Sequence, residues 1–223
     1  MTIRSIAATA AVALLAGSAM PAAAASITTL YSTGVNAVGV ATIGNGADLH
    51  WTLNGGSAFT GGTNGVFPIP PWVSETATSR WLTPSTNAAD GFYDASTDGI
   101  YTYTQVFSLT GYKASTASFS GVFASDNTVD KITLNGVTIA GSGGSFSSWN
   151  AFSSAGGTFN AGVNTLTFTV RNFAQNGGNP TGLNVDVVGS ATAVPEPASW
   201  ALMVVGFGMV GFATRRRSAA IAA

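Results

Sequence analysis

From Ile100 to Leu109 the chain reads IYTYTQVFSL, with Tyr101, Tyr103, Phe107 and Leu109 on one side and Ile100, Thr102, Thr104 and Ser108 on the other. A period of two marks a half-buried β-strand, because successive side chains point to opposite faces of a sheet. Residues 165–170 repeat it, with Leu166, Phe168 and Val170 opposite Thr165, Thr167 and Thr169. Residues 131–134 and 137–140 flank Asn135-Gly136, a dipeptide suited to a two-residue hairpin turn. Further strands are expected at 27–31, 50–53, 117–123 and 182–188. No stretch from Ser26 to Thr192 sustains an apolar 3.6-residue period. Short strands joined by glycine-rich turns predict an all-β domain, a sandwich or jelly roll. No internal repeat points to a propeller or β-helix. The long irregular stretch 55–98 holds Pro68, Pro70, Pro71, Trp72 and Trp81, and loops of that length often carry function.

The strand pattern stops at both ends. Arg4, the apolar run from Ile6 to Ala16 and the small residues Ala23, Ala24 and Ala25 have the order of a signal peptide. They predict a signal helix within residues 1–25, with signal peptidase cutting before Ser26. At the far end, the 17 residues from Ala198 to Thr214 carry no charge, at the short end of what spans a bilayer as a helix. Trp200 stands where an interfacial aromatic belongs, and Arg215, Arg216 and Arg217 would hold the far side in the cytoplasm. Pro195 and Pro197 stop a helix from running backward into the domain. The layout expected is a signal peptide at 1–25, a β-domain at 26–192 and a tail at 193–223. Gly206, Gly208 and Gly211 spell G-x-G-x-x-G, but no strand precedes them and no acidic residue follows, so a dinucleotide site is rejected.

The tail resembles the PEP-CTERM sorting signal in its PEPxxWA form. Pro195, Glu196, Pro197, Trp200 and Ala201 form the motif (195–201), followed by a glycine-bearing span (about 198–214) and the arginine cluster 215–217. The resemblance implies export in a Gram-negative bacterium and removal of the membrane anchor near the motif by an exosortase. The same tail is also named an ice-binding protein C-terminal domain, a label that describes the tail and not a ligand.

Composition narrows the partners. Charged residues make up 8% of the 223-residue chain, against about 25% in ordinary domains. Hydrophobic residues reach 46% and the net charge is -1, so the chain has a core to bury and is not of disordered type. Without cysteine there is no disulfide, thiolate metal site or cysteine nucleophile. Half of the basic residues sit at the two ends (Arg4 and Arg215 to Arg217), leaving no basic stripe for nucleic acid.

A second resemblance covers residues 101–188. The run FSGVFASDNTVDKITLNGVTI, then FNAGVNTLTFTVRNF, is similar to the second half of galactose-binding-like jelly rolls. It rests on Asp126, Asn127, Asn135, Gly136, Gly162, Asn164, Leu166 and Asn172. These residues build turns and strand entries, so the resemblance implies a fold more than a ligand.

Candidate chemistry is thin. His50 is the only histidine, and no G-x-S-x-G elbow accompanies it. Carboxylates are sparse, and a glycosidase needs two across a cleft. Asp90, Asp94 and Asp98 recur every fourth residue without the EF-hand spacing; they are the candidates for a structural calcium, and no other cofactor is expected. Trp72, Trp81 and Trp149, with Tyr93, are candidate sugar contacts, because a sugar's C–H groups stack on aromatic faces. Thr102/Thr104 and Thr165/Thr167/Thr169 form short rows of the kind an ice-binding face would use. The expectation is an exported, non-catalytic surface or matrix protein that binds exopolysaccharide. Its competitors are a ligand-free structural or adhesive biofilm protein, a glycan hydrolase and, remotely, an ice binder.

Overall fold

The alternating stretches become the middle of the sheet in the computed structural model, which describes residues 23–61, 68–87, 91–194, 201, 204–209 and 211–212. The strands are β1 (Ala24–Ser26), β2 (Gly46–Leu53), β3 (Gly56–Thr60), β4 (Leu82–Thr83), β5 (Gly99–Ser108), β6 (Tyr112–Asp126), β7 (Thr128–Leu134), β8 (Val137–Ala140), β9 (Asn150–Ser153), β10 (Val163–Asn172) and β11 (Gly182–Ala193). They pair in the order β8-β7-β10-β5-β2-β3-β4-β11-β6-β9, with β1 on β11, and every pairing is antiparallel. The path doubles back on itself, so the two halves face each other as a β-sandwich. Phe168 of β10 meets Phe123 of β6 at 5.6 Å and Phe152 of β9 at 5.2 Å between ring centroids, which places the core between the layers. The all-β sandwich expected from the alternation is the fold observed.

The inward faces are those the alternation assigns. Leu166, Phe168 and Val170 are fully buried, as are Tyr103 and Leu109. Gln105 shares the inward row of β5 and is also buried, because its amide exchanges two hydrogen bonds with the Tyr31 backbone, at 2.8 and 3.3 Å. Asn135 and Gly136 turn with φ of 51° and 82°, the left-handed pair of a type I′ hairpin. Asn135 also donates to Asn164 Oδ1 at 2.9 Å and accepts from Thr165 N at 2.9 Å, locking the turn to the entry of β10. On the outward face, Ser57, Thr52, Thr104, Thr167, Thr133 and Thr138 stand in register across six neighbouring strands.

The sequence expectation fails at 27–31, which is a turn: Leu30 N donates back to Ile27 O at 3.1 Å. The segment still lies along β11, where Ile27 N and Thr33 N donate to Gly189 O and Val185 O at 3.0 Å, while Ser32 and Thr33 hydroxyls take the Val187 and Val185 amides at 3.1 and 2.9 Å. The short strands β3, β4 and β9 were not expected, and β3 and β4 interrupt the long stretch 55–98.

Of the expected signal site, Ala23 precedes β1, and Ala25 and Ser26 lie within it, opposite Ala191 and Ser190. Residues 1–22 of the expected signal segment (1–25), most of the sorting motif (Pro195, Glu196, Pro197, Trp200), Arg215 to Arg217 and Asp90 lie outside the described residues. Residues 201, 204–209 and 211–212 are helical, and Ala201 is exposed. Among the described residues no helix is long and apolar enough to cross a membrane.

Antiparallel register gives the sandwich two distinct ends. Gly99, Asn127, Asn172 and Gly182 lie at one; Ser108, Gly111, Val163 and Ala193 lie at the other.

Candidate functional site

The first end gathers most of the residues that sequence singled out. The segment from Pro68 to Trp81 folds over the outer face of β6 and β11. There Trp72 and Trp81 pack on each other, ring centroids 4.3 Å apart, and on Ala124. Trp81 is 0% exposed and its indole N–H donates to Val73 O at 2.9 Å. Trp72 is 7% exposed and donates to Asp126 Oδ2 at 3.0 Å. A Cβ on Gly182 would come within 3.0 Å of the Trp72 ring, so the bare glycine is what lets the ring lie on the strand. Glu75 closes the loop, accepting from Arg80 Nε at 2.8 Å and Trp81 N at 3.2 Å.

The sugar-contact expectation is therefore corrected for Trp72 and Trp81. Their faces are sealed in a second small core and offer nothing to stack on. Trp149, half-buried with Phe146 at the margin of this cluster, retains some surface. Burial of Asp126 (4% exposed) pushes its carboxyl up to about 7, against the lowering effect of the Trp72 N–H.

Beside this cluster, loops 91–98 and 173–181 build a rim. Asn179, almost fully buried, is its staple: its amide donates to Tyr93 O at 2.7 Å and Phe173 O at 3.0 Å, and Tyr93 N donates to Asn179 O at 3.3 Å. Phe173 N donates to Asn127 Oδ1, which ties the rim to the β6–β7 turn. So held, Phe92 is 78% exposed and Phe173 50% exposed, with half-buried Tyr93 between their loops. Sequence reasoning named Tyr93 and passed over both phenylalanines. The available signal was position: each sits in a turn-rich loop, where a large apolar residue has no strand face to bury it.

The calcium candidates take other partners here. Asp94 Oδ2 accepts from Tyr101 Oη and Asn172 Nδ2, both at 2.8 Å. Asp98 accepts from Ala174 N at 2.9 Å and faces Arg171, whose fork grips Asp130. Among the described residues no three metal-ligating side chains come together, and Asp94 and Asp98 serve as loop ties.

Elsewhere the carboxylates are also engaged. Asp48 accepts from the Gly34, His50 and Trp51 amides at 2.7–2.8 Å, and Asp186 from the hydroxyls of Ser32, Thr76 and Thr78. His50 stacks flat on Tyr31 at 3.7 Å, with Nε2 3.1 Å from Asn36 O. It lies within β2, and among the described residues no nucleophile is bonded to it.

Among solved structures, the chain is similar to a family 11 carbohydrate-binding module from Clostridium thermocellum in complex with a β-1,3-1,4-mixed-linked tetrasaccharide. The two are 15% identical over 69% of this chain and 90% of that one, with a TM-score of 0.32. The family 11 module of the cellulosomal cellulase Lic26A-Cel5E of the same organism gives 14% identity, 82% and 94% coverage and a TM-score of 0.30. A Podospora anserina GH26-CBM35 β-(1,4)-mannanase gives 15%, 79% of this chain, 29% of that one and 0.30. Overlaps at these scores say nothing of ligand or activity, and the fold stands on the strand pairing above. No curated protein matches the chain. The family model that matches is the PEP-CTERM protein-sorting motif, over residues 193–217. An all-β sandwich thus ends in a PEP-CTERM protein-sorting motif, which marks the chain for export and exosortase-mediated sorting at the envelope.

Proposed function

We propose that this is a non-catalytic, exosortase-processed surface or extracellular-matrix protein that binds polysaccharide through the rim of Phe92, Tyr93 and Phe173. The observation that carries the reading is the rim itself: two exposed aromatic rings on loops pinned by a buried asparagine, on a domain carrying a sorting tail. Rigid loops suit recognition, because little entropy is lost when a ligand stacks on rings already in place. The non-catalytic part is supported by the carboxylates. Every described one is tied by a neighbouring N–H, hydroxyl or guanidinium, which suits structural ties better than a glycosidase pair.

The threonine row favours a second reading, ice binding. Strands twist by about 20–25° from one to the next, so six of them turn the row through about 100°. Its hydroxyls do not share one lattice plane, and polysaccharide is the reading retained.

The test uses protein recovered from the host's medium and envelope. Intact mass and N-terminal sequencing are expected to give a species starting near Ser26 and ending near Pro195. On a glycan array and on the host's own exopolysaccharide, Phe92→Ala with Phe173→Ala is expected to abolish binding without lowering the melting temperature. Binding that survives the double variant removes the rim from the reading. A wild-type protein that binds no glycan leaves the structural or adhesive role.

A further inference from the structure

The tail leaves the domain at the end opposite the rim. β11 starts beside Asp126 at the rim and finishes at Ala193, after which Val194 N donates to Gly111 O at 2.8 Å. At about 3.3 Å per residue, its 12 residues put the two ends up to about 40 Å apart. Six residues separate Val194 from the helical Ala201, and they reach about 20 Å at full extension. Any surface that receives the tail is thereby held close to the end that carries Gly111 and Val163, and far from Phe92 and Phe173.

That end has the chemistry of a lipid-facing surface. Val106, Val163 and Val194 are 59%, 63% and 56% exposed. Val106 and Val163 lie diagonally on the outer face of adjacent strands, since Val163 pairs with Ser108 and Thr165 with Val106. Among the described residues Lys113, exposed opposite Thr192, is the charged side chain there. No acidic residue occurs at 99–125 or 132–185, whereas Asp94, Asp98, Asp126 and Asp130 all sit at the rim end. An anionic headgroup layer attracts lysine and repels carboxylate, and short apolar side chains are accepted at its acyl boundary.

We propose that this end, made by Val106, Lys113, Val163, Val194 and the turn at 109–111, is a membrane-contact surface. The domain stands on it while the tail is uncut, presenting the rim outward. The proposal rests on the reading of the tail as a membrane span and is independent of what the rim binds.

The absence of cysteine allows single labels. Full-length chain carrying a fluorophore at Thr110→Cys, Ala95→Cys or Gly208→Cys is placed in phosphatidylethanolamine vesicles containing phosphatidylglycerol, with nitroxide quenchers on headgroups or acyl chains. The expected result is quenching at Gly208 by the acyl-chain probe, and several-fold stronger headgroup quenching at Thr110 than at Ala95. If Gly208 is quenched while Thr110 and Ala95 respond alike, the contact surface is overturned and the span stands. If Gly208 is not quenched, the span falls and the proposal with it. Lys113→Glu with Val163→Asp is expected to lower quenching at Thr110; unchanged quenching there overturns the assignment to these side chains.

Discussion

Asp126→Asn isolates a carboxyl that burial raises to about 7. Asp126 is 4% exposed, its Oδ2 lies 3.0 Å from Trp72 Nε1, and burial raises it from 3.8 to about 7. An acid whose folded pKa exceeds its unfolded value binds more protons when folded. Its protonation therefore favours the folded state at low pH, and that advantage is lost as pH rises from about 4, where the unfolded chain ionises, to about 7, where the folded one does. Each unit crossed is worth about 1.4 kcal/mol, so ionisation withdraws up to about 4 kcal/mol by pH 7 and nothing further above it. The asparagine keeps an oxygen for the Trp72 N–H and removes the charge. Urea unfolding of both proteins from pH 4 to 8 is expected to give similar stabilities near pH 4 and an advantage for the variant of about 2–4 kcal/mol at pH 8. Asp48 and Glu75, also raised chiefly by burial, contribute equally to both proteins and cancel in the difference. Parallel profiles, or a variant less stable at pH 8, would refute the claim that a desolvated carboxylate is held at this site.

The remaining predictions concern packing. Trp81→Ala should cost about 3–5 kcal/mol in thermal or urea unfolding and Trp149→Ala clearly less; near-wild-type stability of Trp81→Ala contradicts its place in the core. Gly121→Ala should cost about 1–3 kcal/mol or more, because a Cβ there meets the Asp186 carbonyl and comes within 2.9 Å of Phe152; calorimetry showing no loss means the flanking strands β11 and β9 can give way. Asn164→Ala should cost about 1–3 kcal/mol by leaving Asn135 Nδ2 and Asn160 N without their shared acceptor, and amide exchange at Asn160 should speed up with it. If exchange at Asn160 is unchanged, the bond is not what orders that loop.

How much of this was legible beforehand follows from how local each cause is. The faces of β5 and β10 are set by alternation alone, and Asn135-Gly136 carries its own left-handed turn, so those elements could be read directly. At 27–31 the β-prone run ITTLY also suggests a strand, yet the segment turns, and β11 meets it through the Ser32 and Thr33 hydroxyls with isolated backbone bonds at Ile27 and Thr33. A hydroxyl that stands in for a backbone carbonyl leaves no mark in the pattern. The two-residue β4 is shorter than any period can register, and it exists because Leu82 finds Leu183 and Thr60 on either side.

The tryptophans show the same limit at the site. Two indoles in a proline-rich loop describe an exposed stacking platform and a buried plug equally well. What decides is the floor beneath them, Ala124 and Gly182, residues far along the chain whose smallness leaves a ring-sized space on the sheet. Once Trp72 and Trp81 fill it, the surface left at that end belongs to Phe92 and Phe173, which are exposed because Asn179 pins their loops outward and not because their own sequence context is polar. Burial there and display beside it are thus one arrangement: the end of β6 that holds Asp126 under Trp72 also ties the rim, Asp126 O accepting from Thr181 Oγ1 and Asn127 Oδ1 from Phe173 N. A substitution that loosens the Trp72–Asp126 contact should therefore weaken glycan binding at Phe92 and Phe173 without touching either ring, and Trp72→Phe, which keeps the plug and drops the N–H, is the variant whose affinity tests that linkage.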